Sequence, residues 1–306
     1  MISSESLCAD FFHQHPERRN PTVQDLFSYN HIIRQLRYFF QEKKGFIEVP
    51  AQSRLSILAA CEDPETISQF VFSGVNYPLP QTGQMWLEAE ILKNPGIPGV
   101  FCSTTSYRNE PFPIPGRHDK IFPMFEFESM GGMDNLKKLE AELLEFLGFP
   151  TPASCPYEAM CQRYETQELK SEHELMLQQD FGNVISLEHF PQRTHPFWNM
   201  KRGDNGTYNK VDVILYGMET IGSAERSSNV EEMRHNFYTI SNGQYAKLLF
   251  NAFGEARVKK ELDEYLELSM FPRFGGGIGI TRMARAMKLA GLIPAHDMEE
   301  KQETMA

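Results

Sequence analysis

Apolar side chains recur at helical spacing in two segments of the chain. The first segment follows Asn30 and carries Ile32, Ile33, Leu36, Phe39 and Phe40. The second carries Leu136, Leu139, Leu143 and Leu147. Steps of three and four residues place these side chains on one face of a helix. Asp134 is an N-cap residue type and Gly148 is a helix stop, so the second helix is predicted to lie between them.

Three short apolar runs, at residues 100–102, 124–127 and 211–216, have the composition of strands, and residues 46–49 alternate between apolar and polar. The run VDVILY at 211–216 is rich in β-branched residues, as expected for a buried central strand. These strands do not alternate regularly with helices. The pattern predicts an α+β fold in which an antiparallel sheet is flanked by helices.

No Gly/Ser-rich or Pro-rich linker divides the 306 residues, which favours one large folded domain. Both ends lack apolar periodicity. The sequence therefore predicts an N-terminal extension over residues 1–25, a folded domain over 26–295 and a flexible tail over 296–306.

Composition narrows the class of protein. The net charge of −11 disfavours a nucleic-acid partner, because Lys and Arg must neutralise phosphates, although a local basic groove stays compatible with it. No apolar run approaches the length of a membrane span. The five cysteines form no C-x-x-C pair, and the N-terminus has no signal-peptide pattern, so free thiols and a cytoplasmic location are expected.

The segment from Ser106 to Ser129 concentrates candidate chemistry. Arg108 and Glu110 end one predicted strand, and Arg117 and His118 lie on the following loop. Guanidinium groups bind phosphate oxygens in pairs, so these residues predict an anion clamp. A solvated hairpin with surface salt bridges is the alternative. Glu126 and Glu128 are two residues apart and share one face of the next strand.

Three motifs, in order, resemble those of class II aminoacyl-tRNA synthetases in the asparaginyl, aspartyl and lysyl branch. R-x-E, a loop and R-H-x-x-x-F-x-M-x-E-x-E are similar to the second motif, and G-G-G-I-G-I-T-R, ending at Arg282, to the third. The first predicted helix with G-F-I-E-V-P resembles the first motif, which forms a dimer interface in that class. The resemblance implies a class II catalytic domain over residues 26–295 and a homodimer.

The resemblance also implies an ATP site. Arg108 would bind the α-phosphate and stabilise the charge that develops during attack on it. Glu110 would orient the adenine end, and Arg117 and His118 would hold the β- and γ-phosphates. Phe122 and Arg282 would sandwich the adenine ring. Gly279 belongs to the Gly run that would let the backbone approach the nucleotide closely.

Asp212 and Glu219 match the spacing of the carboxylates that bind Mg²⁺ in that branch. Seven residues along a flat strand would place the two side chains on opposite faces, so a turn or bulge at Gly217 is required. The alternative is a purely structural role for a buried Asp212.

The amino-acid site follows from the same resemblance. Thr82 and Gln84 belong to a loop similar to the one that holds the α-ammonium group, and His195 belongs to a His-Pro-Phe that borders the pocket. Arg226 is expected to bind the substrate side chain, and Glu126 is a second candidate reader. Leu87 replaces a lysine of aspartyl enzymes, and the adjacent Glu88 is more typical of the asparaginyl branch. The pocket is thus predicted to take an Asp- or Asn-like side chain, with a neutral one favoured.

The catalytic pattern begins near residue 30, before which an anticodon-binding domain has no room. Ile121 also stands where asparaginyl enzymes have a glutamate. We therefore expect a ligase that uses ATP and Mg²⁺ to activate a small amino acid and passes the acyl group to ammonia or a small amine, as asparagine-synthetase-type relatives do. Transfer to tRNA, which is disfavoured, transfer to a protein lysine, and a non-catalytic sensor of amino acid or nucleotide are the alternatives.

Overall fold

The computed structural model describes residues 25–51, 56–59, 64–114, 116–203 and 205–293. The α-helices in this part of the chain are α1 (Leu26–Arg37), α2 (Ser56–Ala59), α3 (Gln84–Lys93), α4 (Met133–Leu147), α5 (Tyr157–Arg163), α6 (Ser171–Phe181), α7 (Val230–Thr239), α8 (Gln244–Phe253), α9 (Glu255–Leu266) and α10 (Ile280–Leu289). Helix α1 continues as a π-helix over Tyr38–Lys43. Short 3-10 helices span Pro64–Thr66, Gln192–Thr194 and Ile240–Gly243.

The strands are β1 (Ile47–Glu48), β2 (Gln69–Phe72), β3 (Val75–Pro78), β4 (Gly99–Tyr107), β5 (Ile121–Met130), β6 (Ala153–Pro156), β7 (Val184–Pro191), β8 (Thr207–Leu215), β9 (Met218–Arg226) and β10 (Arg273–Gly279). Eight of them form one sheet in the order β1-β4-β5-β10-β9-β8-β7-β6, and β2 and β3 form a separate hairpin. The sheet is antiparallel except at its edges, where β1 pairs with β4 and β6 with β7 in parallel. The predicted α+β fold is confirmed, with a mixed sheet.

Side chains alternate across this sheet as its pleat requires. On β5, Phe125 and Phe127 enter a core shared with α1, α4 and α10, whereas Glu126 and Glu128 lie on the other face and are also fully buried. On β8, Val211 and Val213 belong to the same core and Asp212 points away from it. One face of the sheet is therefore the hydrophobic core, and the opposite face carries the polar side chains of the candidate site.

Several predicted boundaries differ from the structure. Helix α1 begins at Leu26, because the Asp25 side chain accepts hydrogen bonds from the backbone N–H groups of Phe27 and Ser28. Helix α4 is preceded by Gly132 and not by Asp134, which lies in its first turn. Gly148 ends α4 with a φ of 95°, as predicted. Residues 275–279, the Gly run, form part of β10.

The predicted N-terminal extension, apart from Asp25, and the predicted tail lie outside the described residues. So do Cys8 and Cys61, whereas Cys102, Cys155 and Cys161 are buried free thiols. Within the part of the chain that the structure describes, every helix is too short or too polar to cross a membrane.

Candidate active site

A cavity of about 330 Å³ lies over the polar face of the sheet and is lined by residues of β5, β8, β9 and β10. Its lining contains most of the predicted site residues: Thr82, Gln84, Arg108, Glu110, Arg117, His118, Phe122, Glu219, Arg226, Gly279 and Arg282. Strand ends, a loop and a helix thus bring together residues that are up to two hundred positions apart. The predicted anion clamp (Arg108, Arg117 and His118) lies at one end of this cavity, which we call the phosphate end. The predicted amino-acid pocket (Gln84 and Arg226) lies at the other, which we call the amino-acid end.

The phosphate end is built around the β4–β5 hairpin. Arg108 directly follows β4, and its backbone N–H donates to the carbonyl of Lys120 across the hairpin at 2.8 Å. Its guanidinium carbon lies 5.7 Å from the centre of the Phe122 ring. This contact holds the Arg108 side chain against the hairpin and leaves it in the cavity lining.

Arg117 forms an ion pair with Glu174 of α6, and both side chains are mostly buried. The other carboxylate oxygen of Glu174 accepts a hydrogen bond from the backbone N–H of Glu219 at 2.7 Å. Burial raises the pKa of Glu174, while its bond with Arg117 lowers it. Sequence patterns gave no signal for Glu174, which connects the loop of Arg117 to the start of β9.

His118 and Arg282 complete this end. Burial lowers the pKa of His118, and the charge of Arg282 lowers it further. The neutral imidazole is favoured until an anion binds, since a phosphate would stabilise the charged form. Arg282, on α10, donates to the carbonyl of Glu219 at 2.8 Å and to that of Arg117 at 3.4 Å, so it links β9 to the loop.

The two predicted metal ligands lie on the neighbouring strands β8 and β9. The chain turns at Tyr216 and Gly217, where φ of Gly217 is 72°, and the β8–β9 register shifts after Val213. The required turn and irregularity are therefore both present. A Cβ built on Gly222 would lie 3.1 Å from Oε1 of Glu219 and 3.7 Å from Oδ1 of Asp212. The two carboxylates converge over the space that this glycine leaves.

Two carboxylates completed by substrate phosphates are a common arrangement for Mg²⁺. The described residues contain no cluster of three or more acidic, His or Cys side chains that could hold a metal by themselves. Nζ of Lys210 lies 3.2 Å from Oδ2 of Asp212 and places a positive charge beside this carboxylate. Asp212 and Glu219 are the residues that would hold a Mg²⁺ ion, which would supply charge neutralisation for a bound phosphate.

The amino-acid end is a buried polar network. Arg226 ends β9 and is 3% exposed. Its Nε and Nη2 donate to the two oxygens of Glu128 at 3.1 and 3.2 Å, and Nη2 also donates to Oε1 of Gln84 at 2.7 Å. Burial raises the pKa of Glu128 to about 8, against the opposing effect of Arg226. The guanidinium is thus held in one orientation by strand β5 and helix α3.

Glu88 connects this network to three residues that sequence patterns did not identify. Its Oε1 accepts from Nδ2 of Asn199 at 2.6 Å. Its Oε2 accepts from the hydroxyl of Tyr265 at 2.8 Å and from Nε of Arg273 at 3.0 Å. Arg273 is fully buried and stands at the start of β10 beside Arg226. Glu88 thereby binds polar and charged side chains from α9, from the start of β10 and from the turn at Asn199.

Two predicted amino-acid contacts are not part of the cavity lining. Glu126 is completely buried beneath the loop of Thr82, where it accepts hydrogen bonds from Thr82, from Thr104 at 2.6 Å and from the N–H of Gly83 at 2.8 Å. All its oxygens serve the protein, so it shapes the loop instead of reading the substrate. His195 follows the 3-10 helix with a φ of 50°, and it is exposed to solvent.

Solved structures with a similar fold include two asparaginyl-tRNA synthetases complexed with asparaginyl-adenylate. The one from Pyrococcus horikoshii is 20% identical, with a TM-score of 0.72, and the match covers 97% of this chain and 73% of that chain. The one from Entamoeba histolytica is 16% identical, with a TM-score of 0.68, and the match covers the same shares, 97% and 73%. At these identities the likeness establishes the fold. No curated protein sequence matches this chain.

The family model described as "tRNA synthetases class II (D, K and N)" matches residues 11–293, which is most of the chain. The match supports an ATP-dependent ligase that forms an aminoacyl-adenylate. Most of the motif residues that suggested this family line a single cavity. The chain belongs to the class II tRNA synthetase family of the aspartyl, lysyl and asparaginyl enzymes.

Proposed function

We propose that this protein activates a small Asp- or Asn-like amino acid as its adenylate and transfers the acyl group to ammonia or a small amine. The observation that carries the proposal is the two-ended cavity. Arg108, Arg117 and Arg282 line one end, and the fixed Arg226 lines the other. A cationic end suits a triphosphate, and a buried polar end suits a short polar side chain.

In the first step, a carboxylate oxygen of the amino acid attacks the α-phosphorus of ATP. The bond from that phosphorus to the bridging β oxygen breaks, and pyrophosphate leaves. Arg108 stabilises the charge on the α-phosphate, and Arg117 and His118 hold the departing phosphates. Asp212 and Glu219 would hold a Mg²⁺ ion, which would supply charge neutralisation at the phosphates.

In the second step, the nitrogen of the acceptor attacks the carbonyl carbon of the adenylate. The bond from carbon to the AMP oxygen breaks, AMP leaves, and the nitrogen loses a proton to form an amide. An acceptor other than tRNA is supported by the net charge of −11 and by the loop after β4, which exposes Phe112 and Ile114 to solvent. A tRNA acceptor end would be expected to meet basic side chains instead.

Pyrophosphate exchange into ATP, measured with a panel of amino acids, tests the first step. We expect exchange with Asn or Asp, and a loss of about a thousandfold in Arg108→Ala, because one preorganised charge at the reacting phosphate is removed. An absence of exchange with every amino acid would refute the enzyme and favour a sensor. Undiminished exchange in Arg108→Ala would refute the role of Arg108.

Mass analysis of products tests the second step. The protein is incubated with ATP and Asn or Asp, and separately with ammonium, a small primary amine, a lysine-containing protein fraction and tRNA. The proposal predicts amide products with the first two acceptors. Aminoacylated tRNA or modified lysine as the main product would replace it.

We also propose a homodimer through α1, its π-helical continuation and β1. These elements expose Leu26, Tyr38 and Ile47, which are 71%, 52% and 48% exposed. Exposed apolar side chains on three successive elements favour contact with a second copy. Light scattering should give the mass of a dimer for the protein and for Leu175→Glu, a control on α6, and of a monomer for Ile47→Glu. A monomeric parent protein would exclude this interface.

A further inference from the structure

Lys210 is a cationic side chain of the cavity to which the roles described above assign no function. It lies on β8 two residues before Asp212, so the two side chains share one face of the sheet. Its ammonium nitrogen lies 3.2 Å from Oδ2 of Asp212 and 4.2 Å from the centre of the Phe190 ring on β7. The Lys210 side chain is 18% exposed. A carboxylate and an aromatic face thus hold this positive charge in the cavity lining.

The position of this charge opposes the binding of a metal ion at Asp212. The Asp212 carboxylate is buried, and water screens charges poorly at such a site. A divalent ion at this carboxylate would be repelled by the adjacent ammonium group and would compete with it for the carboxylate charge. Glu219, the second candidate ligand, also lies beside a cation, because Nη1 of Arg282 is 3.7 Å from its Oε2. Each candidate metal ligand is therefore close to a positive side chain.

The two cations differ in their freedom to move. The Arg282 guanidinium donates to the carbonyls of Glu219 and Arg117, which holds it against the backbone. The Lys210 ammonium group contacts a carboxylate side chain from the end of a flexible four-carbon stem. A triphosphate in the same cavity would offer it several negative charges. Lys210 can then exchange Asp212 for phosphate oxygens, and the Asp212 carboxylate becomes available to a metal ion.

We propose that Lys210 makes metal binding conditional on the nucleotide. Its ammonium group neutralises Asp212 until a triphosphate enters the cavity, and then pairs with phosphate oxygens and releases Asp212 to the Mg²⁺ ion. Such a coupling is reciprocal: the factor by which the nucleotide strengthens metal binding equals the factor by which the metal strengthens nucleotide binding. The proposal rests on the ATP and Mg²⁺ sites of the proposed function and names the residue that couples them.

Direct binding measurements on the whole chain test this coupling. The probes are Mn²⁺, whose free form is detected by electron paramagnetic resonance, and α,β-methylene ATP, which cannot release pyrophosphate and whose binding is followed by calorimetry. In Lys210→Met, Mn²⁺ alone should bind about tenfold more tightly than in the parent, because the competing charge is gone. With Mg²⁺ present, the analogue should bind about tenfold more weakly, because a contact with its phosphates is lost.

The same titration in EDTA separates the coupling from a general effect on the fold. Without metal, the parent must break the pair between Lys210 and Asp212 before Lys210 can contact a phosphate, and Lys210→Met has no such pair to break. The two changes offset each other, so the affinity of Lys210→Met for the analogue should stay within about threefold of the parent. A merely structural role of Lys210 would weaken analogue binding equally with Mg²⁺ and in EDTA.

Lys201→Met is the matched control. Nζ of Lys201 lies 2.7 Å from Oε1 of Glu225, a buried carboxylate of β9, and Lys201 does not line the cavity. This variant removes the same charge from the protein and should leave the affinities for Mn²⁺ and for the analogue unchanged. Lys210→Arg keeps the charge and should bind Mn²⁺ within about threefold of the parent. Lys210→Gln, which keeps a donor for Asp212 without the charge, serves if Lys210→Met unfolds and should show the same shifts.

The outcomes separate this proposal from the proposed function. An affinity for Mn²⁺ that does not rise in Lys210→Met or Lys210→Gln overturns the role of Lys210. An equal loss of analogue binding with Mg²⁺ and in EDTA overturns it as well. Pyrophosphate exchange with no amino acid refutes the proposed function, whereas the binding measurements decide the role of Lys210 without turnover.

Discussion

The two ends of the cavity are built in different ways. At the amino-acid end, the charged side chains come from β5, β9 and α3, are almost completely buried and bind one another, as Arg226 does with Glu128 and Glu88. At the phosphate end, Arg117 lies on the loop between β4 and β5 and is paired with Glu174, a residue of the separate helix α6. The side chains of the amino-acid end are held in place by their neighbours on the sheet. At the phosphate end, the position of Arg117 depends on its single ion pair with Glu174.

This difference fits the chemistry of the two ligand parts. A short polar side chain must be distinguished from close analogues, which requires fixed donors and acceptors at the ligand. A triphosphate brings several negative charges, which can draw Arg117 away from Glu174. We therefore expect substitutions at the amino-acid end to affect folding and binding together, and substitutions at the phosphate end to affect binding alone.

The largest expected effect is at the amino-acid end. Arg226→Met removes the guanidinium from Glu128 and Glu88 and leaves buried carboxylates with less compensation, so the free energy of unfolding should fall by about 3–5 kcal/mol. Denaturant unfolding measures this. The control Arg163→Met breaks an exposed pair with Asp180 and should leave the free energy of unfolding nearly unchanged. Equal losses in the two variants would abolish the contrast between buried and exposed ion pairs.

Two glycines of β10 differ in the space around them, and a pair of alanine substitutions tests this difference. A Cβ on Gly275 would lie 1.7 Å from Oε2 of Glu128 and 2.4 Å from the carbonyl of Phe127. Gly275→Ala should therefore destabilise the protein by about 3 kcal/mol, because Glu128 lies directly over this position. At Gly279 the nearest atom outside its chain neighbours would be 3.7 Å away. Gly279→Ala should fold normally.

The readouts for this pair are thermal unfolding and ATP binding by calorimetry. Gly279→Ala should retain the parent melting temperature and bind ATP about tenfold more weakly, since the methyl group would lie where the nucleotide is expected to approach the backbone. If Gly279→Ala bound ATP normally, the prediction that the nucleotide approaches the backbone closely at Gly279 would be wrong. If Gly275→Ala were as stable as the parent, the packing of Glu128 over β10 would be wrong.

These two glycines also illustrate what the sequence could predict. Each motif is a local pattern of residue types and can therefore be found in the sequence. The three motifs together predicted that Arg108, Arg117, Phe122 and Arg282 belong to one site. The same patterns did not reveal that the Gly run is a strand. A strand with no side chains at alternate positions has no apolar periodicity, and its place under Glu128 and Gln84 follows from tertiary packing.

Site residues from distant segments of the chain were also not predictable, because their placement follows from tertiary packing. Glu174 pairs with an arginine 57 positions earlier, and Asn199 binds Glu88 across 111 positions. No local spacing encodes such contacts. In contrast, His195 and Glu126 matched motifs and lie outside the cavity lining: His195 is exposed to solvent, and Glu126 is buried and bonded to the loop of Thr82. Motif matching gives the position along the chain and not the direction of a side chain.

A buried ionisable group also lies outside the cavity, behind β9. The pH dependence of the free energy of unfolding reports on it. Glu140 of α4 is buried, accepts from the hydroxyl of Ser223 at 2.6 Å, and has a pKa raised to about 8, chiefly by burial. A carboxyl with a raised folded-state pKa binds its proton more tightly in the folded state. Its contribution to stability is therefore complete below about pH 4.5 and is lost as the pH rises towards 8.

Glu140→Gln should flatten this dependence. The amide keeps an acceptor for Ser223 and carries no charge at any pH. Between pH 5 and 8 the parent should lose about 3–4 kcal/mol more than Glu140→Gln in its free energy of unfolding. Parallel curves for the two proteins would show that Glu140 has the same pKa in the folded and unfolded states.

The smallest effect is expected at the phosphate end, and it decides whether Glu174 competes with the nucleotide. Glu174→Gln keeps an acceptor for the N–H of Glu219 but removes the charge that holds Arg117. Arg117 should then be available to phosphate, and ATP should bind about three- to tenfold more tightly, with amino-acid binding and unfolding free energy unchanged. Asp180→Asn on the same helix is the control, because its pair with Arg163 is remote from the cavity. Weaker ATP binding in Glu174→Gln would reverse the interpretation: Glu174 would then orient Arg117 for the phosphates, and the phosphate end would be as preorganised as the amino-acid end.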